Sequence, residues 1–184
     1  MSLFFGVQVA IHSPPDDPWR ERLLAQLRGA THDLQLADVP AGLQALARLL
    51  GAAVPQLELG FWDLVPRGDA EFQEWTQGIE DDSADPWVAD ATGARSNLVL
   101  VSAMFLVPPF GRNARLLGER CDLPEGRWMQ RQTFATLFAT IGELDPASLQ
   151  SHAIYVTPGG RHLAFSRREL TGDGYDYLLP IRSR

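Results

Sequence analysis

The chain has 184 residues, 45% of them hydrophobic and 21% charged, which predicts one globular domain over residues 1–184 and excludes global disorder. Its net charge of −7 disfavours binding to nucleic acid, because such binding depends on neutralising phosphates with basic side chains. All 16 basic residues are arginines, so the chain offers no lysine for a P-loop, a Schiff base or the usual kinase chemistry.

The first third of the chain predicts one strand followed by two helices. Residues 3–11 alternate between an apolar face and a mixed face that includes Gln8, which is typical of a half-buried strand. Asp17 is suited to cap the following helix, and Pro18 suits its first position. Apolar residues at helical spacing then predict a second helix, capped near Asp38 and ending before Gly51.

The middle of the chain predicts two further strands and a helix between them. Residues 57–62 alternate as a strand, and a helix with an apolar stripe begins near Asp69. The acidic stretch 80–96 is predicted to be a loop and the most mobile part of the chain. Residues 98–107 are apolar except for Ser102, and this run is too short to cross a membrane as a helix, which takes about 20 residues. It predicts a strand buried on both faces, and the sequence therefore predicts no membrane span.

The last third predicts two helices and then three strands. Leu116 and Leu117 belong to a short helix, and the spacing of Asp122 and Glu125 predicts a capping box for the next one. The predicted strands cover residues 153–157, 161–168 and 175–182, and turn sequences join them into an antiparallel meander. The predicted fold class is α+β: one mixed or antiparallel sheet of about six strands, with helices packed on it.

A candidate anion site follows the predicted central strand. Residues 93–184 carry 11 Arg against 8 acidic residues, whereas residues 1–92 carry 5 Arg against 15. In this basic half a helix is predicted to begin near Arg112, where free backbone N–H groups and the helix dipole favour an anion. Arg112 and Arg115 share a helical face, and the predicted anion- or ligand-binding residues are Gly111, Arg112, Asn113 and Arg115. The alternative is that both arginines pair with the surplus acidic residues of the N-terminal half.

A second hypothesis places a metal-dependent hydrolase site at the end of the first strand. His12, Asp16, Asp17 and His32 are of the residue types that bind a metal or exchange protons, and Asp63 is a further candidate. The alternative is that Asp17 only caps a helix while both histidines are exposed loop residues.

The single cysteine, Cys121, rules out a disulfide within the chain. Together with the lack of a recognisable signal peptide, it predicts a reducing, cytoplasmic environment. Arg120 beside the thiol would favour a reactive thiolate, but a nucleophile needs a base that the sequence does not supply. A structural thiol near a helix end is the alternative.

No stretch of the sequence matches a catalytic motif. The sequence therefore predicts a non-catalytic cytoplasmic binding or regulatory protein that uses no cofactor. Its predicted partner is another protein or a small anionic ligand, and a metal-dependent hydrolase is the alternative. An accessory or immunity role in bacteria is compatible with this expectation.

Overall fold

The computed structural model describes residues 2–14, 17–28, 39–66, 68–84, 97–158, 164–172 and 174–183. These residues form five strands and five α-helices. In chain order they are β1 (Leu3–His12), α1 (Pro18–Arg28), α2 (Val39–Ala52), β2 (Leu57–Pro66), α3 (Asp69–Ala84), β3 (Leu98–Val107), α4 (Arg112–Cys121), α5 (Arg131–Glu143), β4 (Ser151–Thr157) and β5 (Leu179–Pro180).

The strands form one antiparallel sheet in the order β4-β3-β1-β2-β5. β1 lies at the centre and pairs along its length with β2 on one side and β3 on the other. All ten residues of β3 are buried, as the apolar run predicts. The predicted α+β class is confirmed, with an antiparallel sheet whose strands number five in the described part of the chain instead of about six.

The predicted C-terminal meander is wrong. β4 pairs with β3 at one edge of the sheet, whereas β5 pairs with β2 at the opposite edge. Between them, Phe165, Leu170 and Leu178 pack on one face of the sheet, and Phe165 forms an isolated bridge with Leu98 at the start of β3. Residues 161–163 lie outside the described residues. The physical reason is burial: Phe165, Leu170 and Leu178 cover sheet residues that a meander at the β4 edge would leave exposed.

Two local predictions are also corrected. Residues 80–84 continue helix α3, so the predicted acidic loop starts later than expected, and residues 85–96 lie outside the described residues. The predicted capping box does not start a helix, because Asp122 ends α4 and α5 begins only at Arg131, after a short 3₁₀ turn. Asp38, the predicted cap of α2, lies outside the described residues. None of the described helices combines the length and apolar character needed to cross a membrane.

One face of the sheet, here called the helical face, carries the main core. The alternation of β1 directs Phe5, Val7, Val9 and Ile11 to this face. Helices α1, α2, α4 and α5 pack on it with their apolar stripes, and Phe134 and Phe138 of α5 are fully buried. This continuous core is the layer arrangement that an amphipathic sheet and amphipathic helices require.

The opposite face, here called the second face, carries two separate apolar clusters. Helix α3 covers one end of β1, where it packs Trp75 and Ile79 around Phe4. Phe165, Leu170 and Leu178 cover the other end, around Ala10 and Leu100. Among the described residues, neither cover extends over the middle of the sheet.

A short joint ties the sheet to the helical layer near the end of the chain. The backbone N–H of Ile181 donates to Glu58 of β2, and the N–H of Arg182 donates to Met129 just before α5. The N–H of Arg131, at the start of α5, donates in return to the Arg182 carbonyl. Three backbone hydrogen bonds therefore connect the edge of the sheet, the chain end and α5.

Candidate functional site

The predicted anion site lies at the tight turn between β3 and α4. Pro108 and Pro109 end the strand because proline cannot donate a ladder hydrogen bond. Gly111 then adopts φ +123° and ψ −171°, a conformation nearly restricted to glycine, and precedes the first residue of α4. The turn carries Phe110 outwards, with 87% of its surface exposed.

Arg112 and Arg115 occupy the first turn of α4 and are both exposed. They are three residues apart and therefore lie next to each other on one side of helix α4. Neither guanidinium forms an ion pair with any carboxylate in the described ranges. No side chain caps the helix, so its first backbone N–H groups add partial positive charge to the same surface.

Asn113 has a different role from its two arginine neighbours. Its side chain is 2% exposed, and its Nδ2 donates to the Asp145 carbonyl at 2.9 Å. The Asp145 N–H donates in return to Asn113 Oδ1 at 2.9 Å. The carboxamide therefore ties α4 to the segment after α5, which leaves Gly111, Arg112 and Arg115 as the predicted residues that face solvent.

An open groove of about 460 Å³ runs beside the turn and is lined by Pro109, Phe110, Gly111, Ala114 and Arg115. It places an apolar aromatic ring and a guanidinium on the same surface. We call Phe110, Gly111, Arg112 and Arg115 together the turn site.

The proposed hydrolase residues are only partly described. Asp17 caps α1 as predicted, because its Oδ1 accepts from the Trp19 N–H at 2.9 Å and its Oδ2 accepts from Ser13 Oγ at 3.2 Å. His12 and Asp17 line one small cavity of about 180 Å³. Asp16 and His32 lie outside the described residues, so the hydrolase stays an untested alternative.

Asp63 does not belong with that group. It lies opposite Gly6 in the sheet, whereas His12 is six residues further along β1. At the rise of a strand this separates them by roughly 20 Å. Within the described ranges no three His, Cys, Asp or Glu residues are grouped so as to hold a metal ion.

Cys121 is a buried thiol at the end of α4. Burial raises the pKa of its thiol to about 12, which opposes formation of a thiolate. Arg120 points elsewhere, since its Nη2 pairs with Glu143 at 3.2 Å. The geometry favours the structural interpretation of this cysteine.

A second candidate site lies over the middle of the sheet on the second face. The strand register places Phe61, Gln8, Ser102 and Tyr155 side by side across four strands, and we call these the central row. Gln8 and Ser102 are buried polar residues, and Gln8 Nε2 donates to Ser102 Oγ at 2.9 Å. Polar groups in the middle of a buried sheet face are expensive unless satisfied, so they mark this position as unusual.

Above the central row lies a cleft of about 350 Å³. One wall is helix α3. The other wall contains Gly174 and Tyr177, and residues 174–178 are here called the C-terminal segment. The residues that line the cleft are Gln8, Phe61, Glu74, Trp75, Gly78, Ile79, Gly174 and Tyr177. Its volume is at the lower end of the range for small-molecule sites.

Sequence reasoning did not identify this cleft, although its signals are present in the sequence. Gln8 is the polar member of a strand whose other residues are mostly large and apolar, and Ser102 is the one interruption in the apolar run of β3. The two lie 94 residues apart, so only the sheet register brings them together.

The chain matches none of the known protein-family models, and neither curated proteins nor solved structures give a match. Function is therefore inferred from the residues of these sites.

Proposed function

We propose that the chain is a non-catalytic binding protein whose turn site recognises an acidic surface on a protein partner. The observation that carries this proposal is Phe110, which is 87% exposed beside two guanidinium groups without an ion pair in the described ranges. An exposed aromatic ring of this kind is stabilised when a partner removes it from water.

The composition of the turn site matches that of energetically dominant interface residues. Aromatic residues and arginine are enriched in such positions, because they combine large contact areas with directional hydrogen bonds. Arg112 and Arg115 can each bind a carboxylate through two parallel N–H groups. The uncapped N-terminus of α4 adds to the same positive potential.

A protein partner explains the turn site better than a small anion does. A phosphate or carboxylate ion would contact the arginines and backbone N–H groups but leave the ring of Phe110 in water. The groove beside the ring is open and has its apolar residues at the surface. A protein that presents acidic side chains around an apolar pocket would cover both the ring and the charges.

The experiment begins with a photo-crosslinking amino acid at position 110, used in the native host to find the partner. The captured protein is then purified and titrated directly against the native chain and its variants. We expect Phe110→Ala and Arg115→Ala each to weaken binding by about tenfold or more, which is typical of central interface residues. Arg167→Ala is the matched control, because Arg167 is also exposed but pairs with Glu58 away from the turn site.

Salt and competing anions provide the second readout. Binding should weaken as the salt concentration rises, since the contacts are between exposed charges. If Phe110→Ala binds as tightly as the native chain, the proposal is wrong. If phosphate or citrate raises the melting temperature and Arg115→Ala removes that effect while no partner binds, the site is one for small anions instead.

A further inference from the structure

We propose that the cleft on the second face binds a small organic cation, namely an ammonium or guanidinium group carried on an apolar or aromatic body. The cleft lies between α3 and the C-terminal segment, whereas the turn site lies beyond the end of β3. The two proposals therefore concern different surfaces and can fail independently.

The floor of the cleft supplies a hydrogen-bond acceptor. Gln8 lines the floor of the cleft, and only 2% of its surface is exposed. Its Nε2 is held by Ser102 Oγ at 2.9 Å. This is the one side-chain hydrogen bond that Gln8 forms with the described residues, so its carbonyl oxygen is available to an N–H donor from a ligand.

The walls supply aromatic surface. The rings of Phe61 and Trp75 lie 5.8 Å apart, and the rings of Phe61 and Tyr177 lie 5.7 Å apart. Trp75 is held in orientation, because its Nε1 donates to Glu71 at 3.0 Å. Aromatic faces attract cations through their quadrupoles and also bury the apolar body of a ligand.

The charge of the cleft selects the sign of the ligand. Glu74 lines the cleft, and none of the described residues that line it is basic. Glu74 and Gly78 are four residues apart on α3, so the carboxylate lies on the same side of α3 as Gly78, next to the cavity. An anion would meet this carboxylate and the carboxamide oxygen, whereas a cation would be attracted to both.

Gly78 keeps the wall of the cleft open. It lies inside helix α3, and a Cβ built on it would meet no atom within 4 Å. A leucine side chain at this position therefore has room to extend beside the cleft without displacing the backbone. Gly174 borders the opposite side with φ +92°, a conformation that also disfavours a side chain.

The experiment compares three compounds that share the indole ring and carry short side chains of different charge. Tryptamine is cationic, tryptophol is neutral and indole-3-acetate is anionic. Each is titrated against the native chain by calorimetry and by ¹H–¹⁵N NMR, which reports on the side-chain amide of Gln8 and the backbone amide of Gly78. We expect tryptamine to bind more tightly than tryptophol by about tenfold, with amide shifts centred on the cleft, and indole-3-acetate to bind most weakly.

Two variants separate charge from shape. Glu74→Gln keeps the shape of the cleft, and it should reduce the preference for tryptamine over tryptophol to about threefold or less. Gly78→Leu should fill the cleft and abolish binding without loss of folding, because leucine favours helix more than glycine does. Gly118→Leu is the matched control, since Gly118 lies inside α4 and its Cβ would also meet nothing within 4 Å.

The proposal is overturned if none of the compounds shifts the amides of the cleft at millimolar concentration. It is equally overturned if the three compounds bind alike, or if tryptamine still binds the Gly78→Leu variant. Binding that survives Gly118→Leu and disappears in Gly78→Leu supports the assignment to this cleft.

Discussion

Asn113 stabilises the fold and does not bind the ligand, and this role predicts a measurable loss of stability when its side chain is removed. The change is Asn113→Ala in helix α4. It removes two hydrogen bonds of 2.9 Å between the carboxamide and the backbone of Asp145. The neighbouring Arg112 is exposed and forms no ion pair with a described residue. Arg112→Ala is therefore a matched control in the same helical turn.

The expected loss of unfolding free energy follows from these contacts. Each hydrogen bond contributes about 1 kcal/mol net, so the pair contributes about 2 kcal/mol. The loss rises towards about 3 kcal/mol if the Asp145 N–H stays shielded from water after the substitution. Arg112→Ala should change stability by less than about 0.5 kcal/mol, as is usual for exposed sites.

Urea denaturation followed by tryptophan fluorescence measures both variants. For a chain of this size about 2 kcal/mol corresponds to a fall in melting temperature of about 4–8 °C, which calorimetry can check. Binding to the partner of the turn site should persist in Asn113→Ala below its melting temperature. An unchanged urea midpoint for Asn113→Ala would refute the structural role of the carboxamide.

Three further predictions concern the backbone of the turn, the buried thiol of Cys121 and the half-buried His152 of β4. Gly111→Ala should destabilise the fold by about 1–3 kcal/mol in urea denaturation, because alanine is strained at φ +123°, and a cost near zero would contradict this. Cys121 should not react with Ellman's reagent in the native chain at pH 8 and should react in urea, since burial raises its thiol pKa to about 12; rapid native reaction would show an accessible thiolate. Burial lowers the pKa of His152 below its ordinary value of 6.5, so the unfolded chain binds the proton more tightly and stability should fall as the pH falls through 6.5. His152→Gln should remove that part of the pH dependence measured by urea midpoints, and an identical profile would contradict it.

The central strands could be predicted from the sequence because their signals are local. The alternation of residues 3–11 and the apolar run 98–107 predict β1 and β3 to within one residue at each end. Asp17 and Pro18 likewise mark the start of α1, since capping depends on neighbouring residues.

The path of the last residues could not be predicted in the same way. Residues 175–182 look like a strand, but Leu178 is buried against the second face of the sheet and only Leu179–Pro180 pair with β2. That outcome depends on which sheet residues remain uncovered, and local periodicity carries no information on this point.

In the candidate sites, too, features set by neighbouring residues could be predicted, whereas features set by distant residues could not. The start of α4 at Arg112 agrees with the predicted turn, whereas the use of Asn113 depends on Asp145, which is 32 residues away. The cleft requires the register that joins Gln8 to Ser102 across 94 residues. Sequence patterns therefore locate single elements better than they locate surfaces made from several elements.

The joint at residues 181–182 shows that irregular backbone can be firmly held. The amides of Ile181 and Arg182 lie outside the strands and helices, and that of Arg131 is the first of α5, yet each donates to a carbonyl of a different part of the chain. Each hydrogen can exchange with solvent only after its own bond opens, which requires residues 181–182 to detach from Glu58, from Met129 or from the start of α5. Exchange at these three positions should therefore be slow, and its rate would report how often residues 181–182 detach from the sheet edge and from α5.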